Sequence, residues 1–348
     1  SLADYYPRFH ITCITHKKDA IYPTTIVGIP PQEDAWIGKA TERIFLAPIK
    51  MTMVPEIIDM VLPMEGVFHN LAIVKIRKDY PGQALKVMNS LWGAGQMMFT
   101  KMMILVDGSV NIHNNLEVAQ YISENADPEM DFVFSQGPSD VLDHSCSKAS
   151  FGGKMGIDAT QKLPEERRGI QEKTGPTATI STEALQDLQN RFPEIKDMNS
   201  SLLPLGISLV LVSIEKNRRN HIREISPQLF QLEALKSVKT ILFLEHTVDI
   251  HDIGDAVWRF SNNVDPKRDH ILVSAESENE MSHIALDGTR KTLKLDGFSR
   301  DWPNILVSLP ETIEKVDKIW PDLGLGPLIP SPSLKHQEQI YEGGAVAN

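Results

Sequence analysis

The feature that most limits what this chain can fold into is a repeat within it. PEIIDM at 55–60 returns as PEIKDM at 193–198, a shift of 138 positions. The same shift carries VNIHNN (110–115) to VDIHDI (248–253) and DPEMD (127–131) to DPKRD (265–269). It also carries Ile76 and Lys78 to Ile214 and Lys216, and Lys101 to Lys239. A register held without a gap from Pro55 to Phe134 means two copies of one domain. The period far exceeds the ~20–50 residues of a solenoid repeat, so each copy is expected to close its own core. A chain of 348 residues has room for two such units.

Both copies read as strands alternating with helices. In the first, strands are expected at 56–62, 68–77, 102–107 and 132–135, with helices at 83–98 and 116–125. Leu85, Met88, Leu91, Trp92 and Gln96 keep the 3,4 spacing of one buried helix face. The run 102–107 is continuously apolar, as suits a strand covered on both faces. Asp127-Pro128 closes the second helix, because proline disfavours helix in the residue before it. The second copy offers strands at 207–214, 240–245 and 270–274 and helices at 218–236 and 254–263. This pattern predicts an α/β fold of two tandem layered domains. Expected boundaries are 37–165 and 181–320, with an exposed linker at 166–180 and an extended Pro- and Gly-rich tail at 321–348. Ahead of them, Phe9, Thr12, Ile14, Ile26 and Val27 read as strand residues within a segment 1–36 that needs partners. The chain reads as a fragment.

Composition excludes several function classes. The chain carries 46 acids against 35 bases, a net charge of -11. Non-specific binding to nucleic acid or to an anionic membrane needs a basic face, which this balance does not favour. No run approaches the ~18 apolar residues of a membrane span. Cys13 and Cys146 are too few for a disulfide framework or a Cys-based zinc site, and fit a reducing cytoplasmic compartment.

Common catalytic motifs are absent. Gly152-Gly153-Lys154 lacks the first glycine of a phosphate-binding loop, and Met155 stands where Ser or Thr is needed. His113 and His251 occupy one place in both copies. A role repeated in both is read as structural, tying down the loop after a strand, in preference to metal ligation. Glu65 and Asp107 are single acids read as solvated or capping groups. Met97, Met98, Met102 and Met103 are read as core filler. The best candidate is the stretch SCSKASFGGKMGIDATQK (145–162), a small, polar, Gly-rich loop. Its last part, MGIDATQK, meets IALDGTRK (284–291) at a shift of 129, so the second copy is nine residues shorter here and lacks the glycine pair. The shared Asp and Thr-x-Lys frame is read as structural. Gly152, Gly153 and Lys154 are read as part of a site or an interface, against the alternative of a solvated surface loop.

Several stretches resemble one family closely: YYPRFHITCITHKKDAIYPTTIVGIPPQED, IGKATERIF (37–45), LPMEGVFHNLAIVKI (62–76), LWGAGQMMFTK (91–101) and VLDHSCSKASFGGKMGIDATQK (141–162). They are similar to the UbiD decarboxylases, densely over 1–165 and more weakly beyond. The resemblance implies non-oxidative decarboxylation of an aromatic or unsaturated acid of the 4-hydroxy-3-polyprenylbenzoate kind, as in quinone biosynthesis. It implies prenylated FMN with Mn²⁺ and K⁺ in the full-length protein, held with the catalytic acids in a split β-barrel upstream. Segment 1–36 would then be the barrel's exit strands, and no catalytic or metal residue carries over onto this chain. The turn PPQEDAWIG (30–38) and the helix around Ile122 resemble segments of the substrate-pocket wall, which implies Trp36, Ile37 and Ile122 as wall residues. A homo-oligomer, dimer or hexamer, is implied, with the tail reaching a neighbour. Nucleic acid is not an expected partner; peripheral contact with a lipid-like substrate is compatible. The rival reading is a non-catalytic oligomerisation or scaffold module.

Overall fold

The structure is a computed structural model and describes residues 5, 7–22, 24, 28–166, 179–277 and 280–341. Ile26, Val27 and nearly all of the expected linker lie outside the described residues. The first copy comprises α1 (Glu33–Thr52), β1 (Ile57–Val61), β2 (Leu71–Ile76), α2 (Gln83–Trp92), β3 (Met102–Asp107), α3 (Asn115–Asn125), β4 (Phe132–Pro138) and β5 (Phe151–Asp158). The second comprises α4 (Thr182–Arg191), β6 (Ile195–Asn199), β7 (Leu209–Ile214), α5 (His221–Phe230), β8 (Thr240–Glu245), α6 (Ile253–Asn263), α7 (Pro266–Asp269), β9 (His270–Val273) and β10 (His283–Asp287). After them come α8 (Leu293–Asp296) and α9 (Pro310–Ile319).

The sheets share one topology, β1-β2-β3-β5-β4 and β6-β7-β8-β10-β9. In each, three central strands are parallel and the two edges antiparallel. Even the irregularities repeat. The edge pairing slips between Ile57 and Asp59, and again between Ile195 and Asp197. After the slip Asp59 meets His113 at 3.5 Å, and Asp197 meets His251 at 2.8 Å. Each histidine thus ties the loop after a central strand to the edge strand of its own sheet.

Alternation along the central strands shows how the copies join. In β3, Met103 and Leu105 face a core private to the first copy, with Val87, Met88 and Leu91 of α2. Met102 and Val106 face the opposite way. In β8, Ile241 and Phe243 face a private core with Ile225 and Leu229 of α5, while Leu242 and Leu244 face away. The two away-facing sets meet in one shared core, with α3 and α6 packed into it. The expectation that each copy closes its own core is therefore corrected. A doubly covered sheet needs a second apolar layer, and here each copy supplies it to the other.

Two lysines make the junction reciprocal. Lys101 Nζ donates to Ser261 O at 3.0 Å, and Lys239 Nζ donates to Ser123 O at 2.6 Å. Each ammonium reaches a carbonyl of the last turn of the other copy's helix, where the helix dipole favours positive charge. Since Ser261 follows Ser123 by 138 and Lys239 follows Lys101 by 138, the contact has the form of an isologous dimer within one chain.

Other sequence expectations need correction. Residues 7–22 contain no strand, and Phe9 and Ile14 are exposed. A β-prone segment forms a strand only where a partner edge exists, and none lies beside this one among the described residues. The turn expected at 30–38 is largely the start of α1. The helix expected to run to 98 stops at Trp92, because Gly93 caps it and Gly95 takes φ 47° before a 3-10 turn over Gly95–Phe99. Its buried apolar residues are Ala84, Val87, Met88 and Leu91, whereas Leu85 is exposed and Gln96 lies beyond the helix. The helix expected to reach 236 ends at Phe230. Of the two readings of Asp107 the capping one holds, since it accepts from the Gln161 amide at 2.6 Å and from Tyr121 Oη at 2.7 Å. The tail folds back on its own chain: His336 is buried against Trp258, and the Tyr341 hydroxyl donates to Trp302 O.

Candidate functional site

The nine extra residues of the first copy lengthen the hairpin between β4 and β5. Gly152, Gly153 and Lys154 are not in a loop. They lie in β5, an interior strand paired with β4 from Phe132↔Ile157 to Pro138↔Phe151. The glycines are needed because neighbours come too close for a side chain. A Cβ on Gly152 would stand 2.0 Å from Cys146 Sγ, and one on Gly153 would stand 2.1 Å from Asp265 Oδ1 and 2.5 Å from the Lys267 amide. Asp265 caps α7 of the second copy, accepting from the Lys267 and Arg268 amides. The glycine pair therefore seats the first turn of the second copy's helix against the first copy's sheet.

Lys154 is buried and its ammonium donates to two carbonyls, Met98 O at 2.6 Å and Thr100 O at 3.0 Å. Gly137 makes room for it, since a Cβ there would sit 2.9 Å from Lys154 Cε. Burial disfavours the charged form and brings its pKa down to about 8, even though the Asp143 carboxylate pulls the other way.

Beside it the hairpin loop carries a buried charge knot absent from the second copy. Lys101 Nζ lies 3.2 Å from Asp143 Oδ1 and 3.0 Å from Ser145 Oγ, as well as on Ser261 O. Burial opposes charge on Asp143, but the Lys101 ammonium and the Ser145 donors outweigh it and hold this carboxyl well below the ordinary range. Burial and the Asp143 charge push the Cys146 thiol up to about 12, and burial brings His144 down to about 4. Arg268 donates to Ser145 O and Arg300 to Cys146 O, both at 2.7 Å. This arrangement is a weld between the copies. It keeps Cys146 as a thiol, unsuited to nucleophilic attack.

The second distinctive surface is α1. Its inner side packs through Leu46 and Ile49 on the first copy's core, and Glu42 accepts from the Leu62 amide at 2.7 Å. Its outer side leaves Trp36 74%, Ile37 60%, Ile44 66% and Met51 84% exposed. At a shift of 138, the outward Ile44, Phe45 and Met51 stand opposite Thr182, Glu183 and Gln189 of α4. The second copy has thus a polar helix where the first has an apolar stripe. Ile122 lies elsewhere, partly buried in the core shared between the copies. Asp143 and the α1 stripe are not among the candidates read from the sequence, whereas Ser145 opens the candidate stretch 145–162. The nine-residue insertion nearby was the signal for Asp143; the 36/37/44/51 spacing was the signal for the stripe.

The repeated frame is structural in both copies. Asp158 accepts from Thr160, and Lys162 returns to Asp158 O and Thr160 O; Asp287, Thr289 and Lys291 repeat each contact. A family model described as the 3-octaprenyl-4-hydroxybenzoate carboxy-lyase C-terminal domain matches both copies, over residues 35–159 and 176–292. The chain belongs to the UbiD family. Among relatives of this UbiD-family chain, an uncharacterised protein of Helicobacter pylori strain J99 is 35% identical over 315 residues, 90% of this chain and 48% of that protein. One of Archaeoglobus fulgidus is 48% identical over 194 residues, 56% of this chain and 40% of that protein. The chain spans about half the length, or less, of these relatives. Among solved structures it is similar to vanillic acid decarboxylase of Sedimentibacter hydroxybenzoicus in open form, with 26% identity, TM-score 0.40, and coverage of 51% of this chain and 38% of that one. It is similar also to the UbiD-class enzyme HmfF of Pelotomaculum thermopropionicum in complex with FMN, with 23% identity, TM-score 0.33, and coverage of 44% and 33%.

Proposed function

We propose that the intact protein is a prenylated-FMN-dependent, non-oxidative decarboxylase of aromatic or α,β-unsaturated acids, of the 4-hydroxy-3-polyprenylbenzoate kind found in quinone biosynthesis. The observation that carries this is family membership spanning both copies. The cofactor's fit to these residues is poor. No group of three or more His, Cys, Asp or Glu able to hold a metal ion occurs among the described residues. The glycine pair read as part of a site or an interface is packed against Cys146, Asp265 and the Lys267 backbone. No catalytic step is therefore assigned to this chain, and prenylated FMN, Mn²⁺ and K⁺ are proposed to sit on the remainder of a longer protein.

The contribution proposed for this chain is a wall. An apolar stripe of this size on a helix marks a surface meant to be covered. Trp36 and Ile37 on α1 are proposed to face the flavin-bearing part and to keep water from the reacting acid. The test is carbon dioxide release from 4-hydroxybenzoate-type acids by the full-length protein with prenylated FMN and Mn²⁺. Turnover that needs the flavin supports the reading; no turnover on any aromatic or unsaturated acid, with flavin bound, counts against it.

An assembly role is the second reading, favoured by exposed Leu325, Leu328 and Ile329 along the tail. Light scattering that shows a monomer at micromolar concentration would sink it. No described helix is long and apolar enough to cross a membrane.

A further inference from the structure

The second copy carries a feature unrelated to the α1 wall or the hairpin weld. A cavity of about 300 Å³ opens at the start of α5, lined by Lys216, Arg218, Arg219, Arg223, Arg268 and Lys291. At a shift of 138, its four arginines stand where the first copy has Tyr80, Pro81, Leu85 and Met130. The common frame did not require them, and they gather in a protein whose net charge is -11.

Pairing around the cavity leaves positive charge over. Arg268 holds Asp269 through two contacts of 2.7 Å. Lys291 lies 3.1 Å from Asp287, and Lys216 lies 2.6 Å from Asp296, so three carboxylates match three of the cations. Arg218 takes Glu224 at 2.9 Å. Arg219 donates only to Lys294 O, at 3.1 Å, and Arg223 to Arg268 O and His270 O, at 3.2 and 3.4 Å. Among the described residues neither has a carboxylate within ion-pair reach. Two exposed guanidiniums thus face one cavity without counter-charge. The amides of the first turn of α5 add to the same field, since Asn220 gives them no side-chain cap.

We propose that this cavity binds a phosphoryl-type oxyanion. Guanidinium forks match phosphate oxygens in pairs, and two unmatched positive charges suit a dianion better than a single carboxylate. The volume exceeds that of a bare phosphate, so the group is carried on a larger molecule. This inference stands apart from the proposed decarboxylation and does not depend on it.

The test is calorimetric titration of the full chain with inorganic pyrophosphate at fixed ionic strength, with chloride as control. Saturable one-to-one binding is expected. Arg219→Ala and Arg223→Ala should each weaken it roughly tenfold, and the double variant should abolish it. Both side chains are exposed, so unfolding temperatures without ligand should stay at the wild-type value, and Arg191→Ala elsewhere in the same copy should bind normally. Co-sedimentation with phosphatidic acid vesicles, lost in the double variant, would name a lipid headgroup as the source; binding of pyrophosphate without sedimentation would name a soluble phosphate ester. No saturable binding by the wild type, or binding unchanged in the double variant, would overturn the proposal.

Discussion

The two copies agree in sheet order, in an edge bulge, in the Asp-x-Thr-x-Lys turn and in a lysine that reaches the other copy's helix end. They differ at three places, all outside that frame. The first copy has a long hairpin with a buried Lys101–Asp143 pair, and an apolar outer face on its leading helix. The second has a short hairpin, a polar leading helix and an arginine-lined cavity. Duplication fixed what each copy needs in order to fold, and the surfaces that the frame leaves free then diverged. Function is best sought where the copies disagree.

Asp143→Ala should break this comparison hardest. It leaves the Lys101 ammonium buried among carbonyls without its carboxylate, a change that costs about 3–5 kcal/mol in buried pairs. Urea unfolding of the chain measures it, and a loss under about 1 kcal/mol would mean the hairpin does not weld the copies. Gly153→Ala comes next. Its Cβ meets backbone of α7 at 2.5 Å, and overpacking of this kind costs about 1–3 kcal/mol. Gly156→Ala, which copies Ala285 of the second copy, presses on the flexible end of Met88 instead and should cost less in the same experiment.

Lys154 sharpens the contrast through pH. Its folded pKa of about 8 lies below the ordinary ~10.4, so between these values the unfolded chain holds a proton that the folded one has lost. Stability then rises with pH across that window, by about 3 kcal/mol, and the penalty is fully present below pH ~8. Unfolding curves from pH 7 to 10.5 should show this rise relative to Lys154→Met; parallel curves would refute it. The smallest effect is expected at the matched histidines. His113→Ala and His251→Ala remove exposed side-chain contacts to Asp59 and Asp197, worth about 0–1 kcal/mol each. The two losses should be alike, and a large loss at one only would show that the copies use this contact differently.

Much of the fold was legible because it is written in local patterns. The apolar run at Met102–Asp107 and the repeated PEI-x-DM and x-x-IH motifs place strands whose partners are also in the chain. What could not be read depends on contacts distant in sequence. Whether Phe9 to Ile14 forms a strand depends on a partner edge, which propensity does not supply. Glycines at 152 and 153 suggested a Gly-rich loop, yet they lie in a strand, and Gly153 is kept bare by residues more than a hundred positions away. Asp143 looks like any loop acid until Lys101 is seen beneath it. Trp36 and Ile37 were singled out by resemblance, and the periodicity that puts them on one helix with Ile44 and Met51 was there to be read.

We propose that the face set against the flavin-bearing part lies on the first copy and not on the second. The direct test exchanges the two faces in the full-length protein, with Ile44→Thr and Phe45→Glu on α1, and Thr182→Ile and Glu183→Phe on α4. The readouts are retention of prenylated FMN and release of carbon dioxide. The account predicts that the α1 exchange abolishes release while the folded chain persists, and that the α4 exchange leaves release unchanged. Equal tolerance of both exchanges, or loss on α4 alone, would contradict it.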